Sequence, residues 1–182
     1  MVDVVKLRKG LNINLMGNAE RRKTSLDTSG DYAVVPDDFI GVKPKMVVHE
    51  GDDVKAGDAL FVNKNFPDVS FCSPVSGKIK SVVRGERRKI IAVIVSASPI
   101  QEYTDFGHFD LSSMDGKAVR EALLKAGLFG YIEQLPYAIS TTPDTKPKAI
   151  FVSAFRDMPL SGDFEYELKD NETDFQTGLT AL

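Results

Sequence analysis

Few side chains in this sequence have the type and spacing to do chemistry. There is one cysteine, Cys72, and there are two histidines, His49 and His108. A single thiol excludes an internal disulfide and a cysteine-ligated metal cluster within these 182 residues. Cys72 falls just before Ser73-Pro74 in a predicted strand, where it reads as a small buried apolar residue rather than a reactive thiol. Neither histidine has a second ligand at metal spacing, and His49, beside a Glu-Gly turn, is expected at the surface. No metal-ligating set, nucleophile or acid–base pair emerges, so no residue is assigned a catalytic or metal-binding role. Asp105-Phe106-Gly107 reproduces a kinase tripeptide, but no glycine-rich loop, strand lysine or catalytic-loop motif accompanies it. Lys64 presents a primary amine within a predicted hairpin over 61–70, a place where a prosthetic group could be attached.

The elements around these groups are announced by turns. Gly51-Asp52 and Gly57-Asp58 bracket Val54 and lead into the apolar pair Leu60-Phe61. Glycine takes positive φ without steric cost, and aspartate can hydrogen-bond its own backbone, so each pair predicts a tight reversal. Residues 73–77, Ser-Pro-Val-Ser-Gly, predict a third turn. Short strands between regular turns indicate a small β sandwich or barrel. The pattern resembles the barrel-sandwich hybrid of biotinyl and lipoyl carrier domains. Residues 2–15 alternate loosely and suit one or two strands, residues 16–31 read as a polar loop, and 32–35 as a short strand ending at Pro36. Within that loop, residues 20–23 read as a solvated charge cluster. Residues 90–95 form the most apolar, β-branched strand candidate and belong in the core. Arg84, Arg87 and Arg88 concentrate charge in what reads as a hairpin turn, able to dock a partner subunit or anionic head groups.

From about residue 110 the texture changes. Residues 112–115 offer a helix N-cap, Ala118, Val119, Ala122, Leu123 and Ala126 follow at helical spacing, and Gly127 suits the C′ position. A proline-rich connector over 136–147 leads to 148–155, a continuous apolar run of the kind buried on both faces of an α/β sheet. Asn171 can cap a last helix carrying Phe175, Leu179 and Leu182. The fold class expected is therefore α+β, mainly β: a barrel-sandwich hybrid over 1–110, a helix and connector over 111–147, and the start of an α/β domain over 148–182. A strand without sheet partners suggests that the sequence is cut short.

Composition narrows the partners. A 42% hydrophobic, 27% charged chain of net charge −3 is ordinary for a globular protein and argues against nucleic acid, whose binders carry basic patches on basic domains. No apolar run reaches the roughly eighteen residues of a membrane span, and the N-terminus lacks a signal-peptide core. The protein thus reads as cytoplasmic, with any membrane association made through a partner.

Several segments together resemble the N-terminal part of the A subunit of the sodium-translocating NADH:quinone reductase. These are residues 6–11, 43–52, 71–77, 84–88, 148–155 and 174–176, in that order. The resemblance implies a peripheral subunit on the cytoplasmic side of the bacterial inner membrane, associated with ubiquinone or menaquinone. It implies that no cofactor is bound in this chain; NADH, flavins and iron–sulfur centres belong to partner subunits, whose electron flow drives sodium export. The family is related to the electron-transport C subunit of the Rnf complex and to the flavin-binding subunit of respiratory complex I. In those relatives a glycine-dense loop approaches the flavin phosphate, whereas 123–137 here holds only Gly127 and Gly130, with bulky Phe129 and Tyr131. That departure predicts no flavin site.

The same stretch supplies the candidate quinone contacts, Phe129, Tyr131, Leu135 and Tyr137, together with Pro136. A quinone needs a flat apolar slot and one or two hydrogen-bond donors, and tyrosine offers both a ring face and an O–H. Packing of the helix against the β domain would equally account for these aromatics. The alternatives to a quinone-associated subunit are a biotinyl- or lipoyl-like carrier and an assembly scaffold without quinone contact. For the carrier, Lys64 follows Asn63 rather than Met or Asp, and residues 65–68 are expected to lengthen the loop.

Overall fold

The computed structural model describes residues 6, 8–10, 15–17, 20–25, 30–155, 158 and 160–182. The strands expected over 2–15 fall largely outside them; the described residues of 16–30 carry neither helix nor strand. Two compact units are present, Leu26–Lys148 with Ala181–Leu182, and Ala149–Thr180 with the described residues of Met1–Ser25.

The first unit is built from β1 (Asp31–Val34), β2 (Pro44–Met46), β3 (Asp53–Val54), β4 (Ala59–Asn63), β5 (Phe66–Cys72), β6 (Gly77–Arg84) and β7 (Ile90–Ala97). They form two antiparallel sheets, one in the order β1-β7-β6-β3 and one in the order β2-β4-β5. One core lies between them: Leu60, Phe61, Val69 and Phe71 from the second sheet meet Ile79, Val93 and Val95 from the first, each at most 1% exposed. Alternation along a strand cannot turn two consecutive residues inward. Leu60 and Phe61 both point inward because the register of β4 on β5 shifts between Ala59 and Phe61, which is the effect of a β-bulge. Lys80, next to buried Ile79, points outward by ordinary alternation and pairs with Asp31, and a second register shift lies between Ile79 and Ser81.

Both Gly-Asp pairs make the same turn. Gly51 has φ +91° and Gly57 φ +99°, the value a type II turn requires at its third residue. Asp52 Oδ2 accepts the His49 N–H at 2.7 Å, and Asp58 Oδ2 accepts the Lys55 N–H at 2.8 Å. Each turn is then clamped to another segment by reciprocal backbone bonds. Gly51 N–H donates to Ile79 C=O and Ile79 N–H to Asp52 C=O, both at 2.8 Å; Gly57 N–H donates to Ser73 C=O at 2.9 Å and Ser73 N–H to Asp58 C=O at 2.8 Å. The segment after β7 closes over the second clamp: Thr104 Oγ1 donates to Asp58 Oδ1 at 2.7 Å, and the Phe106 ring lies against Gly57. Phe106 of the kinase-like tripeptide is thus a packing residue.

The helix expected after residue 112 is α1 (Gly116–Lys125). Asp115 caps it by accepting the Ala118 N–H at 2.8 Å, and Gly127 at φ +69° ends it. A short hairpin follows, β8 (Glu133–Gln134) with β9 (Ile139–Ser140). In the second unit, α2 (Phe164–Leu168) is capped by Asp163, and α3 (Glu172–Ala181) begins one residue after Asn171. The Phe164 and Phe175 rings meet edge to face at 5.6 Å.

Two expectations are corrected. Residues 148–155 form no strand and are exposed, Phe151 and Phe155 at 83% and 79%. An apolar run becomes a strand only when a ladder satisfies its backbone groups, and no described segment pairs with this one. The loop at Lys64 is not lengthened: Asn63 pairs with Phe66, leaving Lys64-Asn65 as a two-residue turn. Asn63, 4% exposed, folds its side chain back to accept the Asn65 N–H at 3.1 Å.

A Cβ on Gly77 would stand 2.0 Å from the Ser96 carbonyl oxygen, a backbone atom that cannot yield without breaking the β6–β7 ladder. Gly77→Ala is expected to destabilise the fold by about 2–4 kcal/mol. Thermal unfolding by circular dichroism should show the loss, whereas Gly116→Ala, which meets nothing within 4 Å, should leave the midpoint nearly unchanged.

Candidate functional site

The strand β5 presents alternate faces to different partners. Val69 and Phe71 point into the core, while Ser70 and Cys72 point outward to the end of α1. Ser70 Oγ donates to Leu124 C=O at 3.4 Å, and Cys72 Sγ lies 4.0 Å from Ala126 C=O as a weak donor. The Ala126 C=O is one of the carbonyls that the last turn of a helix leaves without intrahelical partners, while the Leu124 C=O also accepts the Gly127 N–H at 3.1 Å. The chain then passes Gly127 and enters a 3₁₀ turn, Phe129–Tyr131. Phe129 is 9% exposed and joins the core, and Gly130 presses on the Phe71 ring. Ser140 pins this turn under β9: its hydroxyl donates to Gly130 C=O and its N–H to Ile40 C=O.

Between this turn, the end of β1 and the second clamp lies a cleft of about 640 Å³. Phe39, Cys72, Gly127, Gly130 and Tyr131 line it, with Gly57, Ser73 and Pro74 along one wall. Aromatic rings connect it to the core. Tyr131 meets Phe39 edge to face at 5.1 Å, Phe39 lies 4.3 Å from Phe71, and Phe71 stacks on Phe61 at 4.9 Å. Tyr131 stays 57% exposed at the lip, and its hydroxyl makes no hydrogen bond among the described residues. Burial, with a smaller contribution from neighbouring Cys72, raises the Tyr131 phenol above its ordinary value. Burial likewise raises the Cys72 thiol, with the Ser70 hydroxyl partly opposing and Asp58 adding a smaller push upward. Both groups are therefore neutral hydrogen-bond donors near neutral pH.

Of the four aromatic and apolar residues singled out in the sequence, the cleft receives only Tyr131. Phe129 is a core residue, and Leu135 and Tyr137, 73% and 78% exposed, stand in the turn that joins β8 to β9. Residues Phe39 and Cys72 complete the site without any local signal. Phe39 reaches it through the 3₁₀ turn Pro36–Asp38, and Cys72 through its outward position on β5. His49, with its side chain 90% exposed, and exposed His108 lie on the surface. No group of three or more metal-ligating side chains occurs among the described residues. No helix among them is long and apolar enough to cross a membrane.

The glycines here do not fit a flavin phosphate. A Cβ on Gly127 would lie 2.3 Å from Cys72 Sγ, and one on Gly130 2.7 Å from the Phe71 ring. Both are small so that the turn can rest on β5, and the space beside each is already filled by protein. A phosphate cradle needs that space open.

Fold and site together define a barrel-sandwich hybrid with the end of α1 packed against β5. Residues 5–98 match the family described as the NqrA N-terminal barrel-sandwich hybrid domain, and residues 114–182 match the NqrA second alpha/beta domain. The chain belongs to the NqrA family. Similar proteins are named as the A subunit of Na(+)-translocating NADH-quinone reductase. That of Actinobacillus pleuropneumoniae serotype 5b (strain L20) is 32% identical over 181 residues, 98% of this chain and 40% of that protein. That of Yersinia pestis is 32% identical over 182 residues and that of Neisseria meningitidis serogroup A 33% over 181, with the same coverage. The chain thus spans 40% of the length of the curated relatives it matches.

A raised thiol keeps Cys72 protonated, so alkylation by iodoacetamide at pH 7.5 should be several-fold slower than for a free cysteine. Because the folded value lies above the unfolded one, the thiol favours the fold fully below the unfolded value, and that contribution is lost as pH rises through the folded value. Alkylation should accelerate only above the pH range in which a free cysteine ionises, and denaturant midpoints should fall there more for the wild-type protein than for Cys72→Ala.

Proposed function

We propose that this chain forms part of the peripheral, quinone-associated subunit of a bacterial sodium-translocating NADH:quinone reductase, on the cytoplasmic side of the inner membrane. NADH, flavins and iron–sulfur centres would be held by partner subunits, and their electrons would reach ubiquinone or menaquinone while sodium is exported. The observation that carries the reading is Tyr131: a neutral phenol without a protein partner among the described residues, on the lip of a cleft whose Phe39 edge is aromatic. A cleft of about 640 Å³ falls within the range that encloses small ligands. In this arrangement the Tyr131 O–H donates to a quinone carbonyl oxygen, and the Phe39 ring flanks the headgroup. A hydrogen bond aimed at that oxygen strengthens as negative charge develops there during reduction. Leu135 and Tyr137 offer exposed apolar surface to the isoprenoid tail, and Phe129 holds the turn in place from the core. This chain supplies binding and orientation, and alone it has no turnover.

In the assembled complex, Tyr131→Ala is expected to raise the quinone KM about tenfold, and Tyr131→Phe about three- to fivefold, the contribution of one hydrogen bond. NADH oxidation with an artificial acceptor should stay unchanged in both. An unaltered quinone KM in a folded, assembled Tyr131→Ala variant would remove this residue from the site.

One observation favours a second reading. Lys64 stands exposed on a two-residue turn between paired strands, the presentation that a carrier lysine requires. Against it, the preceding Asn63 is turned inward to brace the turn. Intact mass spectrometry of natively expressed protein should give the mass of the unmodified sequence at this residue; an added biotinyl or lipoyl increment on Lys64 would establish the carrier reading.

A further inference from the structure

The hairpin joining β6 to β7 carries a feature that the quinone reading leaves unused. Its turn is Glu86-Arg87-Arg88-Lys89, closed by Lys89 N–H donating to Glu86 C=O at 3.1 Å. Arg87 and Arg88 both adopt left-handed backbone, φ +53° and +63°. Two-residue turns of this kind favour Asn-Gly because a bulkier side chain meets a steric penalty at each position. Here both positions are arginine. Backbone held in this region by non-glycine residues costs free energy and clusters at functional sites.

The charge at this tip is not neutralised. Lys89 is paired with Asp37 at 2.6 Å, but Arg84, Arg87 and Arg88 form no salt bridge among the described residues. Arg84 makes only a 3.4 Å bond to the Arg88 carbonyl. Glu86 is the single carboxylate within the turn. Beside the arginines, Ile91 is 45% exposed and lies across Gly85, and Val83 is 37% exposed. Cationic forks and apolar side chains therefore emerge together at one narrow tip of a chain whose net charge is −3.

We propose that this tip binds the headgroups of anionic phospholipids, its guanidinium groups on the phosphates and Val83 and Ile91 at the acyl boundary. Guanidinium forks match phosphate oxygens bidentately. A stable protein interface needs about 800 Å² on each partner, more than a five-residue tip provides, whereas a lipid surface needs only a few local contacts that add. The proposal is independent of the quinone cleft, because its test needs neither quinone nor partner subunits.

The test is co-sedimentation of the full chain with vesicles of phosphatidylglycerol and phosphatidylethanolamine, compared with phosphatidylcholine vesicles. Preference for the anionic vesicles is expected, weakening as salt rises. Each Arg→Gln change at 84, 87 or 88 should lower the partition coefficient roughly fivefold, and the triple variant roughly a hundredfold. Ile91→Ser should weaken binding without altering the salt dependence. Arg87→Asn with Arg88→Gly places favoured residues in the turn, so this variant should be at least as stable as the wild type and still lose binding. Lys43→Gln with Lys45→Gln, just before and within β2 of the other sheet, should keep it. Equal sedimentation of the triple variant, or no preference for anionic vesicles, would overturn the proposal. So would wild-type protein that ignores vesicles but needs these arginines to join its partner subunits, which would assign the tip to an acidic protein surface.

Discussion

Two reciprocal pairs of backbone hydrogen bonds hold this fold in register, Gly51-Asp52 on Ile79 and Gly57-Asp58 on Ser73. Each directs the two free polar groups of a tight turn to a segment distant in sequence, so a local reversal becomes a long-range tether. The first fixes where β6 starts beside β3, and the second fixes where β5 ends. With those ends placed, the bulge at Leu60 has only one way to turn two large side chains inward. The small core of a domain this size tolerates little slippage. The clamp at Ser73 also forms one wall of the cleft, so a single constraint shapes both the barrel and its candidate site.

Where local chemistry decides the outcome, the sequence was legible. The Gly-Asp turns, the strand expected over 90–95 and found over Ile90–Ala97, the N-cap expected within 112–115 and found at Asp115, and the Gly127 stop are each dictated within a few residues. Where a partner segment decides, it was not. Residues 148–155 read as a buried strand from composition, yet burial requires neighbours that the described residues do not supply. The turn at Lys64 looked long because Pro67 and Asp68 are loop residues by habit; on β5 both lie exposed near the start of the strand, where proline is tolerated.

The candidate site shows the same division. A tyrosine just past a helix end was visible as a candidate donor, but its cleft is made by residues far apart in the sequence, Phe39 before the second strand and Cys72 at the end of the fifth. Phe129 and Tyr131, two residues apart, part company because the 3₁₀ turn sends one inward and the other to the lip. Hydrophobicity alone could not have separated them. The linked rings of Tyr131, Phe39, Phe71 and Phe61 then tie the lip to the densest part of the core.

Gly127 and Gly130 leave the chain committed in a way that simple substitution cannot reverse. Their missing side chains are already replaced by the sulfur of Cys72 and the ring of Phe71, so the vacancy that glycine normally creates has been inherited by the barrel wall. Engineering a nucleotide pocket into this flank would call for carving the wall itself rather than enriching the loop in glycine. Excavating Phe71, one of the largest fully buried side chains, would undo the scaffold before any new ligand could be seated.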